Sequence, residues 1–322
     1  MKILMRVDAG GDVGLGHFYR SLNLADSLSL RGHKVIFISE KSSFWECKRD
    51  RIPFKHYFRS KSIHELILVK IESIDVFYCD GIIKYNVDYL QNLRTQCLCI
   101  SYQNYAANVE YFDVLIFPTP IFEHYNIPKE TNLRIYEGFK YFLCKKSIKN
   151  LPSADIKKEI KNIGIISGGS DCSNTAGEIA LKIKNLIGSE MNMTVFIGND
   201  NVHEDFFTTN KIQSDKYNEL SILQMDLVVS AFGVSTYEML LLGIPVIAYA
   251  HKPSNLLALT AVKKFFQFES VGLIDKVSEE SLQISLEKMM SQEAREKASR
   301  QAMKMLDVFG IDRIMEIIEN NE

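Results

Sequence analysis

Several features are scarce in this 322-residue chain, and each scarcity narrows its function. Positive charge is not in surplus. The 38 Lys and Arg against 40 Asp and Glu leave a formal charge of −2, so no overall positive field gathers nucleic acid or an anionic bilayer. No apolar run reaches the ~20 residues of a membrane-spanning helix. The longest, residues 239–250, is interrupted by Gly243 and Pro245. Arg6 and Asp8 break the first apolar stretch, so no secretory leader is expected. The six cysteines, at 47, 79, 97, 99, 144 and 172, form no Cys-x-x-Cys pair, and no His doublet has metal-ligand spacing. Neither a metal nor a cofactor is therefore expected, and the compartment expected is the reducing cytoplasm. Cys97 and Cys99 share one face of an apparent strand and read as small core residues, with a redox or metal pair as the alternative.

What is present is ordinary for a globular protein: 46% apolar and 24% charged residues, in a length that fits about two domains of ~150 residues. Short β-branched runs at residues 2–7, 34–39, 75–79, 96–101 and 113–117 alternate with helical patterns, the first at 18–29. Between residues 144 and 161 the composition turns to Lys, Ser, Asn and Pro, and the alternation then restarts. Strands are expected at 162–167, 193–197, 226–230 and 245–250, helices at 175–186 and 235–242, and two terminal helices at 293–306 and 311–319. The reading is α/β, with one domain over 1–150 and a second, holding the terminal helices, over 151–322.

The strongest constellation follows the first strand: Arg6-Val7-Asp8-Ala9-Gly10-Gly11-Asp12-Val13-Gly14-Leu15-Gly16-His17-Phe18-Tyr19-Arg20. Its glycines free the backbone for close approach to a ligand, at the strand end where open α/β sheets bind one. A dinucleotide fingerprint would need a third glycine where Tyr19 stands, though Glu40 ending the second strand keeps an NAD(P) ribose acid as an alternative. His17 opens the helix and is the candidate general base, with Asp8 or Asp12 to fix its tautomer; a helix-end histidine satisfied by backbone is the alternative. Arg6 and Arg20 are expected to pair with Asp8 or Asp12 and hold the loop's shape. His33, His56, His64, His124 and His203 read as structural.

Two loops of the second half repeat this logic. One runs Ser167-Gly168-Gly169-Ser170-Asp171, then Ser173-Asn174-Thr175; the other runs Ser230-Ala231-Phe232-Gly233-Val234-Ser235-Thr236-Tyr237-Glu238. Each joins a strand end to a helix N-terminus, where backbone N–H groups meet an anion, and two together fit a diphosphate. No Gly-Lys-Ser/Thr ending makes either a P-loop. Glu238 is placed to take a ribose diol, or else to complement its helix dipole.

Arg6, Asp8, Gly14, Gly16, His17 and Arg20, with Gly168-Gly169-x-Asp171-x-x-Asn174, Ser235-Thr236-x-Glu238 and Gly243-x-Pro245, resemble the UDP-2,4-diacetamido-2,4,6-trideoxy-β-L-altropyranose hydrolase family of pseudaminic acid biosynthesis. They also resemble the wider spore-coat-polysaccharide-type group, which is similar in fold to MurG-like GT-B glycosyltransferases. The resemblance covers residues 1 to about 315. It implies a GT-B-like pair of Rossmann-like domains holding a UDP-sugar, with the nucleotide on the C-terminal one. It implies that His17 activates water at the anomeric carbon, that Gly168, Gly169 and Asn174 form the diphosphate loop, and that Glu238 meets the ribose. Three segments depart from the family pattern, all around the sugar. Asp80 is followed by Gly81-Ile82 rather than x-Tyr, Ser101-Tyr102-Gln103-Asn104 replaces an Asp pair, and Asn255-Leu256 replaces Asn-Gln. The expected activity is metal-independent hydrolysis of a UDP-linked amino sugar. The alternatives are glycosyl transfer to an acceptor and a non-catalytic nucleotide-sugar binder; oligomeric state is left open.

Overall fold

The computed structural model describes residues 1–10, 13–120, 133–169, 171, 173–187, 191–198 and 203–320. The chain divides into two compact units, 1–143 with 308–322, and 144–307.

The first unit is built on β1 (Lys2–Val7), β2 (Lys34–Ser39), β3 (Lys55–Phe58), β4 (Val76–Asp80), β5 (Leu98–Tyr102), β6 (Val114–Phe117) and β7 (Arg134–Glu137). Their order is β3-β2-β1-β4-β5-β6-β7, and every pairing is parallel. Strands covered on both faces read as near-continuous apolar runs, which is why β1, β2 and β4 to β6 were visible in the sequence. Alternate residues of β1 serve two cores. Ile3, Met5 and Val7 face Phe18, Leu24, Ala25 and Leu28 of the helix Gly16–Leu30. Leu4 faces the other core with Ile36, Phe77 and Cys99.

The second unit repeats the plan with β8 (Asn162–Ile166), β9 (Asn192–Ile197), β10 (Gln213–Lys216), β11 (Leu227–Ala231), β12 (Val246–Ala250) and β13 (Glu269–Leu273). Their order is β10-β9-β8-β11-β12-β13, again all parallel. In both sheets the strand order reverses beside the unit's first strand, between β1 and β4 and between β8 and β11. Open α/β sheets bind ligands outside the carboxyl ends of the strands at such reversals. The three glycine-bearing loops singled out in the sequence follow β1, β8 and β11, at these reversals.

The domain division expected at 150/151 is corrected. The units part at 143/144, and the terminal helix Gly310–Glu319 belongs to the first unit. The cause is its apolar face: Ile311, Ile314, Met315, Ile317 and Ile318 enter the core that contains Met5, Leu24 and Leu28. A side chain on Gly310 would meet the Phe142 carbonyl oxygen at 2.0 Å, so the helix begins against the chain that closes the first sheet. No helix among the described residues is long and apolar enough to cross a membrane.

Candidate functional site

Val7 and Asp80 are register partners that end β1 and β4, so Asp80 stands at the first reversal beside the start of the helix Gly16–Leu30. Two helical positions three apart, His17 and Arg20, both reach it. His17 Nδ1 lies 2.8 Å from Asp80 Oδ1, and Arg20 Nε donates to Oδ2 at 2.8 Å while its Nη2 donates to Oδ1. Ser21 Oγ donates to Oδ2 at 2.7 Å. Asp80 is fully buried. Burial pushes its carboxyl up, but the Arg20 guanidinium and the His17 ring outweigh that and hold it at about 2. An ionised carboxylate only accepts hydrogen bonds, so toward Asp80 His17 Nδ1 acts as the donor, whereas Arg20 Nη2, an N–H donor 2.6 Å from Nδ1, competes for the lone pair of the same atom. Donation to Asp80 leaves Nε2 with the lone pair. Arg20 also donates to Gln103 Oε1 and lies over the Tyr102 ring, 5.0 Å from its centroid. Gln103 has φ of +50°, an uncommon conformation for a residue with a side chain. The neighbouring Asn104 is buried and ties this loop to Ile83, accepting its N–H at 3.1 Å and donating to its carbonyl at 2.8 Å.

Asp8, expected beside His17, is held elsewhere. Arg6 is 3% exposed and donates to Asp8 Oδ2 at 2.8 Å, to Glu65 Oε1 at 2.9 Å and to Glu40 Oε1 at 3.1 Å. Glu65 is buried and also accepts from Arg59, Tyr85 and Tyr89. Arg6 therefore sets the loop's shape, through Asp8 as the sequence allowed, with three of its four Nη N–H groups committed to carboxylates. Asp8 Oδ1 accepts the Glu40 amide at 2.8 Å, and Ser42 Oγ donates to the Ala9 carbonyl at 2.8 Å, so two residues of the connection after β2 brace the loop. Gly10 has φ of +93° and lies against Phe44, leaving no room for a Cβ. Gly14 has φ of +77°, and its carbonyl accepts the Gly10 N–H at 3.1 Å. Gly16 opens the helix. Asp12 lies outside the described residues.

In the second unit Gly168, φ +96°, makes the turn expected after β8, with Gly169 following. Ser170 lies outside the described residues. The helix Thr175–Ile187 does not offer all its first N–H groups to a ligand. Asp171 Oδ1 and Oδ2 accept from Thr175 N and Ala176 N, each at 2.8 Å, so an internal carboxylate fills the place a phosphate was expected to take. Asn174 sits at φ +53° with its amide against Gly177, and its Oδ1 is buried with no partner among the described residues. The second turn also differs from expectation: Gly233 has φ of 176°, extended backbone that needs no glycine, and open space at its Cβ position. Thr236 is buried and donates to the Ala231 carbonyl at 2.9 Å, which anchors the start of the helix Val234–Leu241; Ser235 is half-buried beside it.

Glu238 points inward. It is 1% exposed, its Oε2 accepts from Tyr217 Oη at 3.3 Å, and its Oε1 has no partner among the described residues. Burial pushes its carboxyl up to about 7 against the pull of the Lys145 charge. Asn255 is half-buried in the first turn of the helix Pro253–Lys263 after β12. His251 lies at the other glycine turn, its Nε2 3.2 Å from the Ser167 carbonyl oxygen. Sequence reasoning did not find Gln103, Glu65, Tyr217 or Lys145. Only the positions of Gln103 and Lys145 carried a signal, one as a departure from the family pattern and one in the composition shift.

Two Rossmann-like units with parallel sheets, each with glycine turns at its reversal point, define a GT-B-like fold. The MurG structure of Acinetobacter baumannii has the same architecture, with a TM-score of 0.69 and 14% identity over 99% of each chain. In sequence the chain is similar to the spore coat polysaccharide biosynthesis protein SpsG of Bacillus subtilis, 23% identical over 99% of this chain and 98% of that one. It is also similar to the uncharacterized protein MJ1062 of Methanocaldococcus jannaschii, 26% identical over 77% of this chain, and spans 55% of that protein's length. No family model matches the chain.

Proposed function

We propose that the protein is a nucleotide-sugar enzyme that transfers the sugar of a UDP-linked amino sugar to an acceptor hydroxyl, with His17 as general base, in the assembly of a surface polysaccharide. The observation that carries this reading is the His17–Asp80 pair at the first reversal point. With Nδ1–H held by an ionised carboxylate, Nε2 takes the proton of the attacking hydroxyl, and the imidazolium that forms is stabilised by Asp80. Arg20 and Ser21 keep Asp80 ionised and oriented through the cycle. The second unit is assigned the nucleotide: the Gly168-Gly169 turn and the start of the helix Val234–Leu241 meet the diphosphate without metal, and Glu238 meets the ribose.

Water in place of the acceptor would make the same site a hydrolase. The matching residues around His17 favour that second reading. Against it stand the departures beside the base, where Gln103 and Asn104 replace an acidic pair and Gln103 is bound to Arg20. Solved structures of this fold named as glycosyltransferases, such as CalG4, also favour transfer.

UDP release from a panel of UDP-acetamido sugars, measured in EDTA with and without acceptor sugars and lipid-linked sugars, decides between them. Release that requires an acceptor supports transfer, and release in buffer alone establishes hydrolysis. Tight UDP binding without release from any donor would leave a binding protein.

A further inference from the structure

Three side chains near Glu238 play no part in the reading above: Tyr217, Lys145 and Glu219. Buried polar atoms in folded proteins are nearly always hydrogen-bonded, so the Oε1 of this 1% exposed acid, without a partner among the described residues, is an acceptor still to be satisfied. Lys145 could have filled it. Instead its Nζ donates to Glu219 Oε1 at 2.9 Å and rests 4.4 Å from the centroid of the Tyr217 ring. Tyr217 thus engages two groups at once, the ammonium through its ring and Glu238 Oε2 through its hydroxyl, at 3.3 Å. Its own backbone is fixed, because Tyr217 N donates to the Ile197 carbonyl at 3.1 Å, at the end of β9. The outcome is a carboxyl group, drawn on by the Lys145 backbone N–H, whose Oε2 is held by the Tyr217 hydroxyl and whose Oε1 has no hydrogen-bond partner among the described residues.

We infer that Tyr217 is a positioning residue that fixes Glu238 so that its free oxygen accepts from the cis-diol of a ribonucleotide, and that it thereby sets the preference for ribose over deoxyribose. This rests on Glu238 being the ribose acid proposed above. A diol supplies two O–H donors to the carboxylate, and a 2′-deoxyribose supplies one fewer.

The test is calorimetric binding of UDP and of 2′-deoxy-UDP to the wild type, Tyr217→Phe, Glu238→Gln and the double variant. The wild type is expected to prefer UDP by about tenfold. Tyr217→Phe keeps the ring and its hold on Lys145, and is expected to cut that preference to about threefold by weakening UDP while leaving 2′-deoxy-UDP within about twofold. The double variant should bind UDP no more weakly than Glu238→Gln, since both changes act through one carboxylate. A Tyr217→Phe protein that keeps the wild-type preference, or loses affinity for both ligands equally, overturns the inference. A wild type that binds the two ligands alike removes Glu238 from the ribose altogether, and one that binds neither overturns the nucleotide reading itself.

Discussion

His17 and Asp80, 63 residues apart in the chain, are joined by a 2.8 Å contact from Nδ1 to Oδ1. If that contact prepares a base, two substitutions should behave differently. His17→Asn removes the proton acceptor and should lower turnover by roughly 10²–10⁴-fold while leaving UDP affinity within about twofold. Asp80→Asn should lower turnover comparably and also cost roughly 3–5 kcal/mol of stability, because the buried Arg20 guanidinium loses its counter-charge. Steady-state kinetics and urea unfolding on both variants check this. A His17→Asn enzyme with near-normal turnover would take the base away from His17.

The two glycine turns of the second unit should also separate. At Gly168, φ +96° penalises any side chain, and Gly168→Ala should destabilise the protein by roughly 1 kcal/mol or more. At Gly233 the backbone is extended and a Cβ meets open space, so Gly233→Ala should be close to neutral for stability. Both Val variants should nevertheless weaken UDP binding in EDTA, since a branched side chain blocks approach of the diphosphate to the backbone. Normal UDP affinity in both would move the diphosphate elsewhere.

Glu238 should impose a pH dependence on stability. Its carboxyl, at about 7 in the folded protein, is above its unfolded value of roughly 4.3, so the folded state holds the extra proton between those limits. Stability from this group is complete below the unfolded value and declines as pH rises toward 7. The full decline is on the order of 3 kcal/mol. The difference in unfolding free energy between wild type and Glu238→Gln, measured from pH 4 to pH 8, should follow this slope. A pH-independent difference would contradict it.

The terminal helix should be required by the first unit. Ile314 is completely buried in that unit's core, and Ile314→Ala should cost roughly 2–5 kcal/mol. Removing residues 308–322 should unfold the first unit while the second keeps its cooperative melt, which hydrogen exchange resolved by segment would show.

Of the thirteen strands among the described residues nine were legible in the sequence, and the four that were not, β3, β7, β10 and β13, are the outer strands of the two sheets. An outer strand is covered less. Gln213–Lys216 is exposed along its whole length and carries no apolar alternation to be read. The same limit explains the site. Glycines and His17 adjoin one another in sequence, so their grouping was visible, and an arginine inside a buried strand announced a counter-charge. The partnership of His17 with Asp80 arises only when β4 is laid beside β1 across the reversal in strand order. Asp171 matched a ligand-loop pattern, yet a carboxylate four residues before Thr175 can close on its own helix, and spacing alone does not say which N–H acceptor prevails.

Because residues 308–320 complete a core begun by Lys2–Val7, the order of synthesis and the order of assembly differ. A ribosome delivers every described strand of both sheets before the helix Gly310–Glu319 appears. The second unit can mature during translation, whereas the first waits with the apolar surface around Leu24 and Leu28 uncovered. A newborn chain is thus most vulnerable in the first unit, and that is where a chaperone would be expected to bind.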